Sequence, residues 1–551
     1  MYYMYHISGA VKRVEIKDIG GADLFSETLD YEDCGLPGCK PQYNGNISRM
    51  VHEMAYSDGS YSGSRDVQYV YDELNRLSKV KDSKQPMFDE MFEYDVQGRI
   101  VAQHRAKKTD GQYALNEHPT GGEYTYESGT NRLKSVAANM GGESADNRNM
   151  SDPDNFVYDS EGNLTEDKSK RLKISYDWRG MPVEFKQTAM PQGSTDNELY
   201  KLEMKYDGSG RRVSKTVWRK AVGAENWQKK QVTHYTGIGT EIRENYHNES
   251  LEKAKVVVNM PEGLGRYGIE DAKGPDIGFG AGYILNVKFE WYLKNHLGST
   301  MLVYGTEGNA TSDPFTLGTP LAAYDYRAFG EQLTLLPAGD KFTENFTGKE
   351  RDDEIALNYF GARYLDPMLG LWISVDPKRQ FDSPYLYAGN GYNPVNAIDP
   401  DGNITIGNFK FTLVGSVTPI IKTAAKCTGY GMMAYLGAKA FFVWKEIDTE
   451  NKIANQERTS LTASMSKNQQ SGFYQGVGVN SLNLAASTME MGVGAASPVE
   501  GGIANHTPTY SDFPSRFWDS ILDDFAPVVD YIRDKFMDGD SQSNNLQGSD
   551  E

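Results

Sequence analysis

A unit built on Tyr-Asp recurs between Gln68 and Val213 and restricts the fold more than any other feature of the chain. It reads aromatic, any residue, Tyr-Asp, two or three residues, Gly or Asn, often Arg, then an aliphatic residue. The clearest copies are Tyr71-Asp72-Glu73-Leu74-Asn75-Arg76-Leu77, Tyr94-Asp95-Val96-Gln97-Gly98-Arg99-Ile100 and Tyr158-Asp159-Ser160-Glu161-Gly162-Asn163-Leu164. Looser copies follow Tyr126, Tyr176 and Tyr206, and successive Tyr anchors lie 23, 32, 32, 18 and 30 residues apart. Alternate residues of a strand share a face, so Tyr69 and Tyr71 put both rings on one side. The Asp can bond the backbone of the turn, and Gly or Asn takes the residue at positive φ before the chain returns. Each unit therefore predicts a hairpin. A lone hairpin cannot bury an aromatic face, so neighbours must stack.

Composition agrees with a mainly β chain: 35 Tyr and 56 Gly stand beside 22 Phe and 7 Trp. At 551 residues the chain suffices for two or more domains or one large all-β body. The balance of 57 basic against 76 acidic side chains, net −19, argues against nucleic acid or an anionic membrane as the main partner. Cys34 and Cys39 flank Leu-Pro-Gly, and no second pair or nearby His completes a metal site. They read as thiols or an incidental disulfide, and no metal or cofactor is expected. The first residues, MYYMYHISGAVKRVEIKD, alternate like a strand and lack the basic start and apolar stretch of a secretory signal.

A second dense region runs from Phe342 to Gly402, where Asp-Pro pairs begin at Asp366, Asp376 and Asp399. Each pair fixes φ at Pro and pushes the preceding Asp into an extended conformation, so the path is rigid and its carboxylates have set directions. The residues Gly348-Lys349-Glu350-Arg351-Asp352, Tyr359-Phe360-Gly361-Ala362-Arg363-Tyr364, Leu369-Gly370-Leu371-Trp372 and Asn393-Pro394-Val395-Asn396, closing on Asp399-Pro400-Asp401-Gly402, resemble the RHS-repeat-associated core of Rhs and YD-repeat proteins. Upstream, Asn295-His296-Leu297-Gly298-Ser299-Thr300 and Tyr324-Asp325-Tyr326-Arg327-Ala328-Phe329-Gly330-Glu331 resemble the start of the same core, in the same order. The resemblance implies a spiralling shell of YD-repeat hairpins over 1–290, a core over 291–403 that closes it, and a small, α-containing variable segment over 404–551. It also implies that the chain starts within a longer shell, and that it is secreted or displayed at a cell surface.

Three residues carry the candidate chemistry: Arg363, Asp376 and Asp399. Two carboxylates held close cannot both ionise easily, so the pair can serve as general acid and base on a peptide bond, with a guanidinium orienting them. The resemblance implies an aspartyl-type self-cleavage just after the closing motif, between Asn403 and Ile404, that frees the C-terminal segment as cargo. Asn403 stands where relatives usually carry Leu. The other reading of the three residues is structural, since Asp-Pro pairs stabilise turns and a buried Arg can bridge them. The partners implied are the chain's own C-terminal segment, an immunity protein and secretion machinery. On the structural reading, tyrosine-rich repeats bind a carbohydrate or another cell-surface ligand.

Lesser features read as scaffold. Asn295-His296 is a marker of the core start without a catalytic partner, Gly263–Gly268 and Gly278–Gly282 are turns, and Lys168-Ser169-Lys170-Arg171 is a solvated face. In the tail, Ala424–Trp444 reads as a buried or amphipathic helix in preference to a membrane span, and 538–551 as an acidic disordered end. The tail holds a single histidine, His506, and none of the deaminase or zinc-protease motifs.

Overall fold

The computed structural model describes residues 2–407, except 7–9, 19, 35–38, 58–62, 117–120, 139–147, 192–195, 237–238, 261–262, 271–287, 307–316 and 390–392. Among these residues the regular secondary structure is nearly all strand. Eight strands, from Tyr2–Tyr5 to Ile100–Arg105, form one sheet, and fourteen, from Phe156–Tyr158 to Gln332–Leu336, form a second. In both sheets the strands lie in chain order, each antiparallel to the next. The strands after Val213 keep this order: Gly265–Glu270 pairs with Lys288–Lys294, which pairs with Thr300–Thr306. The α-containing segment expected beyond 403 lies outside the described residues from 408 onward, as does Ala424–Trp444.

Each Tyr-Asp unit is a hairpin with one build. The register shifts immediately before the Tyr, at Val70/Tyr71, Glu93/Tyr94, Thr125/Tyr126, Val157/Tyr158, Ser175/Tyr176 and Lys205/Tyr206. Such a bulge bends the strand and increases its local twist. The next residue, Asp72, accepts from the backbone N–H groups of Leu74 and Arg76, both at 2.9 Å. Asp95, Asp177 and Asp207 do the same in their turns. The chain reverses at Asn75 with φ 63° and at Gly98 with φ 82°. Neighbouring units are stapled by the Tyr hydroxyl. Tyr94 donates to the Leu77 carbonyl at 2.8 Å, Tyr126 to Ile100 at 2.7 Å and Tyr206 to Pro182 at 2.8 Å. The Arg after the turn lies over the next unit's ring, Arg76 on Tyr94 and Arg99 on Tyr126 at 4.8 and 4.6 Å. Asn295 repeats the turn with an amide oxygen in place of the carboxylate, accepting from Leu297 and Ser299 N–H. His296 bonds the Glu27 carboxylate through its backbone N–H at 2.7 Å and meets the Val395 carbonyl at 2.8 Å, a structural role.

A four-stranded sheet, Glu350–Asp352, Leu357–Tyr359, Tyr364–Asp366 and Leu371–Trp372, packs against the fourteen-stranded one. Burying its acidic first strand requires cations, and Arg212 and Lys215 supply them. Lys215 Nζ lies 2.6 Å from both Glu350 and Asp352, and Arg212 bonds both carboxylates and the Tyr364 hydroxyl. All four side chains are buried.

Two sequence expectations are corrected. Gly263–Gly268 is mostly strand, and its glycines permit close approach: a Cβ at Gly265 would fall 2.1 Å from the Glu290 carbonyl. The Lys168–Arg171 run is not a solvated face throughout, because Lys170 is buried, donates to the Ile355 carbonyl at 2.8 Å and lies 3.7 Å from Asp366. Cys34 and Cys39 are joined as a disulfide, with Cα atoms 6.2 Å apart.

Candidate functional site

Arg363 leaves the tight Phe360–Arg363 turn of the four-stranded sheet, Asp376 opens a turn after Trp372, and Asp399 follows the short strand Ala397–Ile398. The structure brings the three together. Arg363 donates from Nη2 to Asp399 at 3.2 Å, and its Nη1 lies 3.7 Å from Asp376. All three are at most 3% exposed. The guanidinium lies over the Trp372 ring, its carbon 4.2 Å from the centroid, and Phe360 and Tyr387 meet that ring edge-on. This apolar floor strengthens the attraction between Arg363 and its carboxylates.

Residues 399–404 wrap tightly over the turn that carries Arg363. The Asp401 carbonyl accepts from Ala362 N–H, and Arg363 Nε donates to the Gly402 carbonyl. Gly361 and Gly402 permit the approach: both have positive φ, and a Cβ on either would come 2.9 Å from backbone of the other segment. Asp399 Oδ1 sits inside the wrap and faces the N–H groups of Gly402 at 2.7 Å, Asn403 at 3.1 Å and Ile404 at 3.3 Å. The Ile404 nitrogen belongs to the peptide bond that the family resemblance marks for cutting. Burial raises the pKa of Asp399 above the ordinary carboxylate value, although the Arg363 guanidinium and the backbone N–H groups oppose the shift. Burial likewise lowers that of Arg363.

Asp376 accepts from Lys378 N–H at 2.8 Å and Gln380 N–H at 3.2 Å. Asn403 lines a groove of about 560 Å³ that Met181, Tyr235, Tyr359 and Asp401 also border, so the segment before the marked bond faces open space. Beyond the bond the chain is held: Thr405 is buried against Tyr387 and Gln380, and Ile406 pairs with Ile398. Sequence reasoning finds the three charged residues but misses Gln380, Thr405 and Tyr387. Among the described residues, no group of three or more His, Cys, Asp or Glu could hold a metal ion.

No family model matches the chain. It is 28% identical over 259 residues to salivary gland surface protein 1 of Aedes aegypti, which covers 46% of this chain and 7% of that protein. It is 27% identical over 296 residues to the tRNA3(Ser)-specific nuclease WapA of Bacillus spizizenii, covering 51% and 11%. To toxin subunit YenC1 of Yersinia entomophaga it is 22% identical over 454 residues, covering 72% and 44%. The chain thus spans less than half the length of each of these relatives. Among solved structures, TcdB2-TccC3 aligns over 73% of this chain and 21% of its own, at 18% identity and a TM-score of 0.42.

Proposed function

The chain is a YD-repeat protein of the Rhs type, and from that premise we propose that it is a toxin-delivery chain whose β body encloses its own segment 404–551 and frees it by hydrolysing the Asn403–Ile404 bond. The observation that carries this reading is the position of Asp399, a buried carboxyl 3.3 Å from the Ile404 nitrogen and bridged through Arg363 to Asp376. Water adds to the Asn403 carbonyl carbon and gives its proton to Asp376. Asp399 gives a proton to the Ile404 nitrogen as the C–N bond breaks. The products are a carboxylate at Asn403 and a free amine at Ile404. Arg363 holds both carboxyls in place and, through Nε on the Gly402 carbonyl, fixes the residue before Asn403. On this reading the protein is secreted or delivered, with an immunity protein and delivery machinery as partners.

A second reading treats the three residues as scaffold. It is favoured by the backbone N–H groups that converge on Asp399 Oδ1, which is how a turn-stabilising carboxylate is bonded. The repeat then serves as a non-cleaving surface for a carbohydrate or a partner protein. Intact mass of the purified chain, beside an Asp399→Asn variant, separates the two. A break at Asn403–Ile404 present in the parent and missing in the variant supports hydrolysis, whereas uncut chain in both leaves scaffold.

A further inference from the structure

The residues just after the marked bond are gripped by one side chain from the turn that carries Asp376. Gln380 Nε2 donates to the Thr405 carbonyl at 2.9 Å, and Thr405 N–H donates to Gln380 Oε1 at 2.8 Å. This amide makes both bonds that a neighbouring β-strand would make to a single residue. The Gln380 backbone N–H donates to Asp376 Oδ2, so the grip and the carboxylate share one turn. That turn passes through Arg379, a non-glycine residue at φ 49°, and its N–H bonds the Asp376 carbonyl at 3.2 Å. Left-handed backbone at a non-glycine residue persists only where the surroundings impose it. Here it turns Gln380 back toward Thr405.

The grip has two further supports. Thr405 Oγ1 donates to the Tyr387 carbonyl at 2.9 Å, and Ile406 and Gly407 pair with Ile398 and Ala397, next to Asp399. Residues 405–407 are therefore fixed to both carboxylate-bearing segments. Because a shift of one residue in a strand reverses every side chain and displaces every amide, holding Thr405 decides which peptide bond meets Asp399. The two Gln380 bonds reach only the Thr405 backbone and are indifferent to the residue type there, whereas the bond to the Tyr387 carbonyl needs the Thr405 hydroxyl.

We propose that Gln380 is a positioning residue for self-cleavage, holding Thr405 so that the Asn403–Ile404 bond stays on the Asp399 carboxyl. The inference rests on the hydrolytic reading above. It adds a determinant of register on the far side of the bond, where Arg363 and Gly402 fix the near side. A misplacement near 1 Å lowers the rate of a positioned reaction by about 100-fold. Loss of both amide bonds in Gln380→Met should slow cutting by at least about tenfold. Gln380→Glu, which keeps the acceptor for Thr405 N–H and loses the donor, should fall between.

The test follows cutting with time by intact mass in cell-free synthesis of the full chain, for parent, Gln380→Met, Gln380→Glu and Asp399→Asn. Amide exchange at residues 403–407 and the thermal midpoint are read on the same proteins. The expected result is cutting in the order parent, Glu variant, Met variant, faster exchange at Thr405 in the Met variant, and an unchanged midpoint. Equal rates in parent and Gln380→Met at the same bond overturn the role of Gln380 and leave hydrolysis standing. Slower cutting with a lowered midpoint and unaltered exchange at Thr405 also overturns it, as general loss of structure. A parent that is never cut overturns hydrolysis and the positioning role together.

Discussion

Replacing Lys215 by Met tests how the four-stranded sheet is held on the larger one. The Met keeps most of the apolar stem and removes one cation from a buried set of two cations and two carboxylates. Lys215 Nζ lies 2.6 Å from both Glu350 and Asp352, so both lose a direct partner while Arg212 remains. Removing one member of a buried ion pair destabilises by about 3–5 kcal/mol, because the remaining charge has left water without compensation. Lys341 Nζ, 3.8 Å from each carboxylate, offsets part of the loss, which places the expected deficit near ~3 kcal/mol. Adding Asp352→Asn removes the uncompensated charge and should recover roughly half of it. Urea unfolding followed by fluorescence, with amide exchange in Glu350–Trp372, measures both variants.

The pH dependence has a definite sign. Burial pushes Glu350 and Asp352 up, but Arg212 and Lys215 outweigh it and hold both below their ordinary values of 4.5 and 3.8. Their stabilisation is present above those values and is lost as the pH falls through the lower, folded ones. The Met variant raises the folded values, so its deficit should be greatest at pH 7 and shrink below about pH 4. A deficit under about 0.5 kcal/mol at pH 7, or one that grows on acidification, would refute this account of the docking.

Tyr126→Phe leaves the Ile100 carbonyl without its staple and should cost about 1–2 kcal/mol, read by denaturant unfolding. Gly330→Ala places a Cβ 2.4 Å from the Phe346 ring at φ 87°, and should cost about 2–4 kcal/mol or prevent folding, read by soluble yield and thermal midpoint. Burial disfavours charge on Glu27 and His296, yet each holds the other charged, lowering Glu27 and raising His296. The pair should contribute fully between the ordinary values of 4.5 and 6.5, decline as the pH rises through the raised His296 value, and leave a His296→Gln variant without that decline in stability-versus-pH curves. Self-cleavage that uses a protonated Asp399 should slow as the pH rises past its elevated pKa, measured by intact mass across a pH series.

The hairpins are legible in the sequence because every determinant is local: the Tyr, the Asp that closes the turn and the residue at positive φ lie within about one turn of chain. The Arg363, Asp376 and Asp399 constellation is legible only through family resemblance, since spacings of 13 and 23 residues say nothing about distance in space. Asn295 hides as a turn of the same kind because an amide replaces the carboxylate. Lys170 looks solvated among neighbouring charges, and its burial depends on Ile355, 185 residues later. Gln380 has no pattern at all. A glutamine in a loop gains meaning only when the chain returns 25 residues on and lays a backbone against it.

Strand-to-strand order in the two large sheets also has a consequence for synthesis. Since each strand pairs with its immediate predecessor, a sheet can grow at one edge as the ribosome delivers chain, without waiting for distant sequence. The stretch from Asn345 to Gly407 behaves differently. Its partners were made long before: Asn393 meets Asn46, Tyr385 meets Gly162, Asp366 meets Arg148 and Val395 meets His296. The Asp376 and Asp399 carboxylates therefore come together after the two large sheets, on a surface already laid down, and a chain with a gap in its earlier strands lacks the seat on which they meet.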